Sequence, residues 1–254
     1  MTRTARRIAL APAYILHHQP YRDTSRILEV LTREYGRLSL FARGVRGPKA
    51  RLGPVLQPFQ LLLLSWSGRG EAAQLTAAES VDRDPPLPAG SLMACFYLNE
   101  LLLKLTTRHD PLPALFDDYQ ATVHGLRTGL PLEPTLRIFE KRLLETLGYG
   151  LDLLTEAQSG KRIEPLGYYH FRPAQGLFPT VADAAGALAG HSLIRLAGEH
   201  LAGARELTDA RRLLQAALAQ CLEGRDLKTR TVARSVARRA RVNPSRETPS
   251  EPQE

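Results

Sequence analysis

Apolar and polar positions exchange at nearly every residue through "SRILEVLTREYGRLSLFARG" (25–44). Ile27, Glu29 and Leu31 share one face of an extended chain, and Leu28, Val30 and Thr32 share the other. That period of two predicts a β-strand. Glu34-Tyr35-Gly36 then supplies a turn, with glycine where a positive φ is needed. The return strand sets Leu38, Leu40 and Ala42 against Ser39 and Phe41. Three more runs fit short strands: "AYILHHQ" (13–19), "PFQLLLLSWS" (58–67) and, with weaker propensity, "AAQLTAAESV" (72–81). Five short strands in the first 81 residues predict a small closed barrel, with an OB-fold as the candidate.

After the proline-rich junction "DRDPPLPAG" (82–90) the period changes. "SLMACFYLNELLLKLTTR" (91–108) is apolar nearly all round, which predicts a buried helix. "ALFDDYQATVHGLRTG" (114–129) is amphipathic. "LEPTLRIFEKRLLETLGYG" (132–150) places Leu136, Phe139, Leu143, Leu144 and Leu147 on one stripe and ends at Gly148 and Gly150. Residues 155–182, rich in glycine and proline, read as irregular. Helical signal returns over 192–202 and 209–224, and 227–241 reads as one more helix studded with Lys and Arg. The expected fold class is α+β and multidomain: a five-stranded OB-fold barrel over 1–81, the junction 82–90, an all-α domain over 91–241 with an irregular loop insertion, and a disordered tail over 242–254.

Charge sharpens this picture. Residues 1–52 hold eleven Lys and Arg against three acids, a net of +8. Residues 225–254 hold eight against four, a net of +4, while the middle carries −4. An excess gathered at the two ends points to a polyanion partner. An Arg-rich proteome would also raise the total charge. The cluster of Arg37, Arg43, Arg46, Lys49 and Arg51 on and after the third strand favours binding, and Arg22, Arg26 and Arg33 add to it. Each such cation that neutralises a phosphate releases counterions. Tyr21, in a turn, and Tyr35, at the hairpin tip, are the candidate stacking aromatics; Phe41 and Phe59 read as core. Little is present to read bases, so the pattern fits nonspecific binding. Arg3, Arg6 and Arg7 read either as an added arm for the polyanion or as a frayed end.

Other chemistries find no footing. "GVRGPK" lacks the ending of a phosphate-binding loop, and no GxSxG or HExxH pattern occurs. The seven histidines are scattered, and the adjacent His17 and His18 should face opposite ways on a strand. Two cysteines, Cys95 and Cys221, suit neither a disulfide framework nor a four-thiolate zinc site, and Cys95 reads as a core residue. No enzyme, metal or cofactor is therefore expected. "LQPFQLLLLSW" (56–66) is too short and too interrupted to span a bilayer and reads as a buried strand. The basic N-terminus is followed by no signal-peptide pattern, so the expected compartment is the cytoplasm.

"QPYRDTSRILEVLTREYGRLSLFARGVRGPKARL" followed by "LQPFQLLLLSWSGRGEAAQLTAAE" resembles the RecO family of bacterial recombination mediators. The resemblance continues through "CFYLNELLLKL", "LFDDYQATVHGL" and "RIFEKRLLETLGYGLDL" to "GRDLKTR", about residues 8 to 231. It implies an OB barrel followed by helices, binding of single- and double-stranded DNA and annealing of complementary strands. It implies a nucleoid-associated protein with RecR as partner. A second implied partner is the acidic, apolar C-terminal tail of the single-strand binding protein, and together they load RecA onto coated single strands. Arg22, Arg26, Arg37, Arg43, Arg46, Lys49 and Arg51 match basic family positions and are the DNA-binding candidates. The tail calls for an apolar pocket rimmed by cations. Arg137 and Lys141 lie beside the stripe of 136–147, and Lys228 and Arg230 match the C-terminal "LK-R" pattern; these four are the tail-binding candidates, with solvated helix-face charges as the alternative. Some relatives hold zinc with four cysteines after the third helix. Residues 150–190 contain none, so no zinc is expected, and Tyr168, Tyr169, Phe171 and Phe178 should hold that loop by packing. An acidic-peptide adaptor and an RNA-binding OB protein are the competing functions.

Overall fold

The computed structural model describes residues 7–47, 50–68, 73–81 and 85–229. Five strands close a barrel in the order β1-β2-β3-β5-β4: β1 (Arg7–Tyr21), β2 (Ser25–Thr32), β3 (Gly36–Ala42), β4 (Leu62–Ser67) and β5 (Gln74–Ser80). Neighbours are antiparallel except β3 and β5, which meet in parallel through Phe41 and Gln74. This is the expected OB arrangement, although β1 runs well beyond the predicted 13–19 and β4 begins four residues after Pro58. The alternation on β2 and β3 is realised. Leu28, Val30, Leu38, Leu40 and Ala42 point into a core completed by Ile15, Leu56, Leu62, Leu64 and Trp66. Gly36 adopts φ +67°, and a Cβ there would lie 2.3 Å from the carbonyl oxygen of Asp110. The hairpin tip is thus pressed against the helical half, and only glycine satisfies both constraints.

α1 (Ala89–Leu105), α2 (Pro113–Arg127), α3 (Leu132–Thr146), α4 (Gly190–Ala197) and α5 (Ala204–Cys221) match the predicted helices in order, although α4 ends five residues before the predicted 202 and α5 begins five before the predicted 209. Of the predicted helix over 227–241 only Leu227 to Thr229 are described, with Lys228 and Thr229 helical; Arg230 onward, including the tail 242–254, lies outside the described residues. α1 buries Ala94, Cys95, Tyr97, Leu98, Asn99, Leu101 and Leu102 against barrel and helices, but its first half leaves Leu92, Met93 and Phe96 exposed, so it is less enclosed than its pattern implied. Tyr14, Leu16, Leu31 and Phe59 of the barrel half join Cys95, Leu98, Leu101 and Leu102 of α1 in one core. Asn99 Nδ2 donates to the Leu16 carbonyl at 2.8 Å, and its Oδ1 accepts from Tyr119 Oη at 2.6 Å.

The stretch read as irregular contains a small sheet instead. β6 (Tyr168–Arg172) and β7 (Gly176–Thr180) form a hairpin, and β8 (Leu188–Ala189) pairs with the other edge of β6. Tyr169 is buried, and its hydroxyl accepts from the Glu164 amide at 2.9 Å. Phe171 packs on the main core, and Arg172 stacks over Phe178 at 4.5 Å. The aromatic residues expected to hold this segment do so, and they do it as strands. Gly176 at φ +99° and Ala174 at φ +61° make the tight turn whose composition masked the strands.

Candidate nucleic-acid interface

The outer face of β2 and β3 carries the residues that the core rejects, and its lower end opens into a groove of about 400 Å³. Tyr21, Arg22, Ile27, Phe41, Arg43 and Gln74 line it. Tyr21 ends β1 and is 38% exposed. Its ring meets Phe41 edge to face at 5.2 Å. Arg22 lies over Tyr21 and Arg43 over Phe41, each at 5.4 Å from the ring centroid. Phe41, read as core, therefore stands on the outer face beside Ser39, where the strand's own alternation puts it. Tyr35, read as a stacking candidate, is instead half-buried edge-on against Trp66 at 5.3 Å.

The loop after β3 is less free than its glycines suggest. Val45 and Leu56 are buried in the barrel core. The Arg46 amide donates to the Thr24 carbonyl at 2.9 Å, and Arg46 Nη1 donates to the Arg22 carbonyl at 3.2 Å. The loop is thereby tied to the turn that bears Arg22. Arg43, Arg46 and Arg22 form one cationic end, and Arg51 is exposed on the same loop. Lys49 lies outside the described residues.

Two of the DNA-binding candidates belong elsewhere. Arg37 is tied into the fold: Nη1 meets Glu29 at 3.1 Å, and Nε and Nη2 donate to the hydroxyl and carbonyl of Thr106. Only 12% of its side chain is exposed. Arg108 bonds the same Glu29, so this cluster joins the barrel to the end of α1. Arg26 shares the strand face of Leu28 and Val30, opposite Ile27, and so faces away from the groove. Burial and the nearby Arg26 charge both hold the His18 imidazole below its ordinary pKa. Arg33, also counted among the strand cations, is held by Asp117 of α2 through two 2.9 Å bonds. The cluster of cations read from the first fifty residues is thus divided: one end of the barrel presents cations, and the other uses them to attach the helices.

The helical half offers an apolar cavity of about 260 Å³ lined by Met93, Tyr97, Leu132, Leu136, Arg137 and Thr229 among others. Arg137 pairs with Glu140 at 2.9 Å, and only 8% of its side chain is exposed. Its Nε and Nη1 are buried without a hydrogen-bond partner among the described residues. Those N–H groups are sealed from solvent, so a carboxylate entering the cavity meets them only if the Arg137 side chain shifts. Lys141 does not share this role, because it bridges Glu145 at 2.9 Å and Glu199 at 3.1 Å. Lys228 is exposed on an adjoining groove of about 700 Å³ between β1 and α1, which also borders Met93 and Thr229. The amides of Lys228 and Thr229 donate to Glu100. Arg230 lies outside the described residues.

His17 and His18 both line that larger groove, with near-parallel rings 6.5 Å apart. The pairing register shifts between Ile15 and His17, just before the pair, and is regular through His17 and His18 themselves. Among the described residues no three His, Cys, Asp or Glu side chains gather to hold a metal, and no helix is long and apolar enough to cross a membrane. Cys95 and Cys221 are free and buried, and burial pushes the Cys95 thiol up to about 12.

A five-stranded barrel that shows aromatic rings and arginines where β1 turns into β2 and where β3 ends falls in the OB class of oligonucleotide-binding domains. Comparison with known proteins makes the assignment narrower. The family described as Recombination protein O N terminal matches residues 7–83, and Recombination protein O C terminal matches 90–231. DNA repair protein RecO of Methylococcus capsulatus is 43% identical over 229 residues, covering 90% of this chain and 94% of that one. DNA repair protein RecO of Nitrosococcus oceani is 41% identical over 245 residues, covering 96% and 100%. The chain belongs to the RecO family.

Proposed function

We propose that this protein acts in recombinational DNA repair as a strand-annealing mediator: it binds single- and double-stranded DNA, pairs complementary strands and, with RecR, helps place RecA on strands coated by the single-strand binding protein. Its relatives are named for DNA repair. The observation that carries the reading is the pairing of two sites on one chain, the arginine and aromatic groove of the barrel and the apolar cavity with an underpaired Arg137. Cations on the barrel screen the repulsion between two phosphate backbones. The cavity suits an acidic, apolar tail, whose carboxylate would meet Arg137 while its side chains fill the space beside Leu132 and Leu136. Base pairing then drives the reaction, so the protein works without covalent chemistry or nucleotide hydrolysis, in the cytoplasm at the nucleoid.

Fluorescence-monitored annealing of complementary strands tests this directly. The wild type should accelerate it, and Arg22→Glu with Arg43→Glu should slow it and flatten the salt dependence of DNA binding. Arg137→Ala should abolish binding of a peptide bearing the coating protein's tail and leave affinity for naked DNA unchanged. Peptide binding without any annealing would instead identify an adaptor, and preference for RNA over DNA would identify an RNA-binding protein.

A further inference from the structure

We propose that Tyr21 and Phe41 form a stacking seat for unpaired nucleobases, with Arg22 and Arg43 taking the phosphates on either side. The barrel groove is then a single-strand site, and duplex is held by charge alone. This deepens the proposed nucleic-acid function and rests on it.

Four observations carry the assignment. First, the two rings are the aromatic residues of the groove, and they stand on the outside of the barrel: Tyr21 at the exposed end of β1, Phe41 on the polar face of β3. An edge-to-face pair leaves ring surface open to a third planar group. Second, the guanidiniums at 5.4 Å stand off from contact stacking, and Arg22 and Arg43 are both exposed. They can swing to phosphates while a base takes the ring face. Third, the groove offers little for reading bases. The Ser39 hydroxyl is already given to Glu29, which leaves the Gln74 amide and the Tyr21 hydroxyl as the neutral polar groups of the described lining residues. Stacking tolerates any base, which suits a site that must accept every sequence. Fourth, the turn is held in an unfavourable shape. Arg22 sits at φ +51°, and the two Arg46 hydrogen bonds keep that turn against the loop bearing Arg43.

Duplex DNA cannot use this seat, because its base faces are covered by their neighbours and only edges reach the grooves. Charge and stacking therefore separate by experiment. With the full chain, anisotropy is measured on oligo-dT and on a hairpin duplex of equal length across a salt series. Tyr21→Ala with Phe41→Ala should lose about 5- to 100-fold in single-strand affinity. Its salt slope and its duplex affinity should stay at wild-type values. Tyr21→Phe should retain binding, and Tyr21→Leu with Phe41→Leu, which keep the apolar bulk without a π-face, should behave as the alanine pair. Arg43→Ala should weaken both forms and lower the salt slope by about 1. Wild-type single-strand affinity in the leucine pair, or equal losses on single strand and duplex, would overturn the stacking seat and leave charge-based binding standing. Failure of the wild type to bind either form at low salt would overturn the nucleic-acid reading itself.

Discussion

Arginines of the same strand and loop meet opposite fates in this protein. Arg43 stands over an exposed ring at the groove, while Arg37, six residues earlier, is sealed between Glu29 and Thr106. Removing one member of a mostly buried pair costs stability even where, as here, Arg108 and Ser39 still meet Glu29. Arg37→Met should therefore destabilise the fold by about 2–3 kcal/mol in urea unfolding, and the salt slope of DNA binding by the folded fraction should not change. A loss of slope there would return Arg37 to the interface. The sequence marked both residues as cations on a hairpin and its loop. It did not show that Thr106 arrives from 69 residues away to occupy one of them, with Arg108 sharing its Glu29 partner. Phe41 was legible in a subtler way, since alternation already set it with Ser39 against Leu38 and Leu40.

At the level of elements, α3 and the end of α4 are joined by an ion network. Glu199 accepts from Lys141 and Arg142, and Arg142 also reaches Asp118 of α2 at 2.7 Å. The Arg142 hydrogen bonds hold the Glu199 carboxyl below its usual 4.5, against the opposing effect of burial, with Lys141 adding to the same direction. A carboxylate depressed in the folded state contributes stability above its unfolded pKa and loses it as pH falls. Thermal stability should therefore drop as pH is lowered below about 4.5. Glu199→Gln should lower Tm at neutral pH and flatten that acid slope; an unchanged slope would assign it to other carboxylates. The charges of Lys141, Arg142 and Glu199 were visible in the sequence, but their convergence was not, because more than fifty residues and a β-hairpin separate Arg142 from Glu199. The hairpin itself was hidden by its Pro and Gly content, although Tyr169 and Phe171 already alternated with His170 and Arg172.

For the molecule as a whole, barrel and helices share a core and a polar joint at Asn99. Asn99→Ala leaves the Leu16 carbonyl without its donor and the buried Tyr119 hydroxyl without its acceptor, a loss of about 2–4 kcal/mol. Trp66 lies in the barrel core and is the protein's one tryptophan, so its fluorescence reports the barrel while far-UV circular dichroism reports the helices. The two probes should unfold together in the wild type and separate in Asn99→Ala. Separate transitions in the wild type would show that the joint does not couple the halves.

Local physics determined what the sequence disclosed unaided: the period of two that makes β1 to β5, the shift to helical spacing after the prolines, and a surplus of cations near the start. These follow from contacts between residues close along the chain, where spacing alone dictates which face is apolar. Tertiary structure decided which cations remain open to a polyanion and which are consumed as fasteners, and that Arg137 ends beside an apolar cavity while Lys141, one turn on, is neutralised. Such outcomes depend on partners brought from distant positions, and burial and pairing, rather than residue type, set what a charge is free to do.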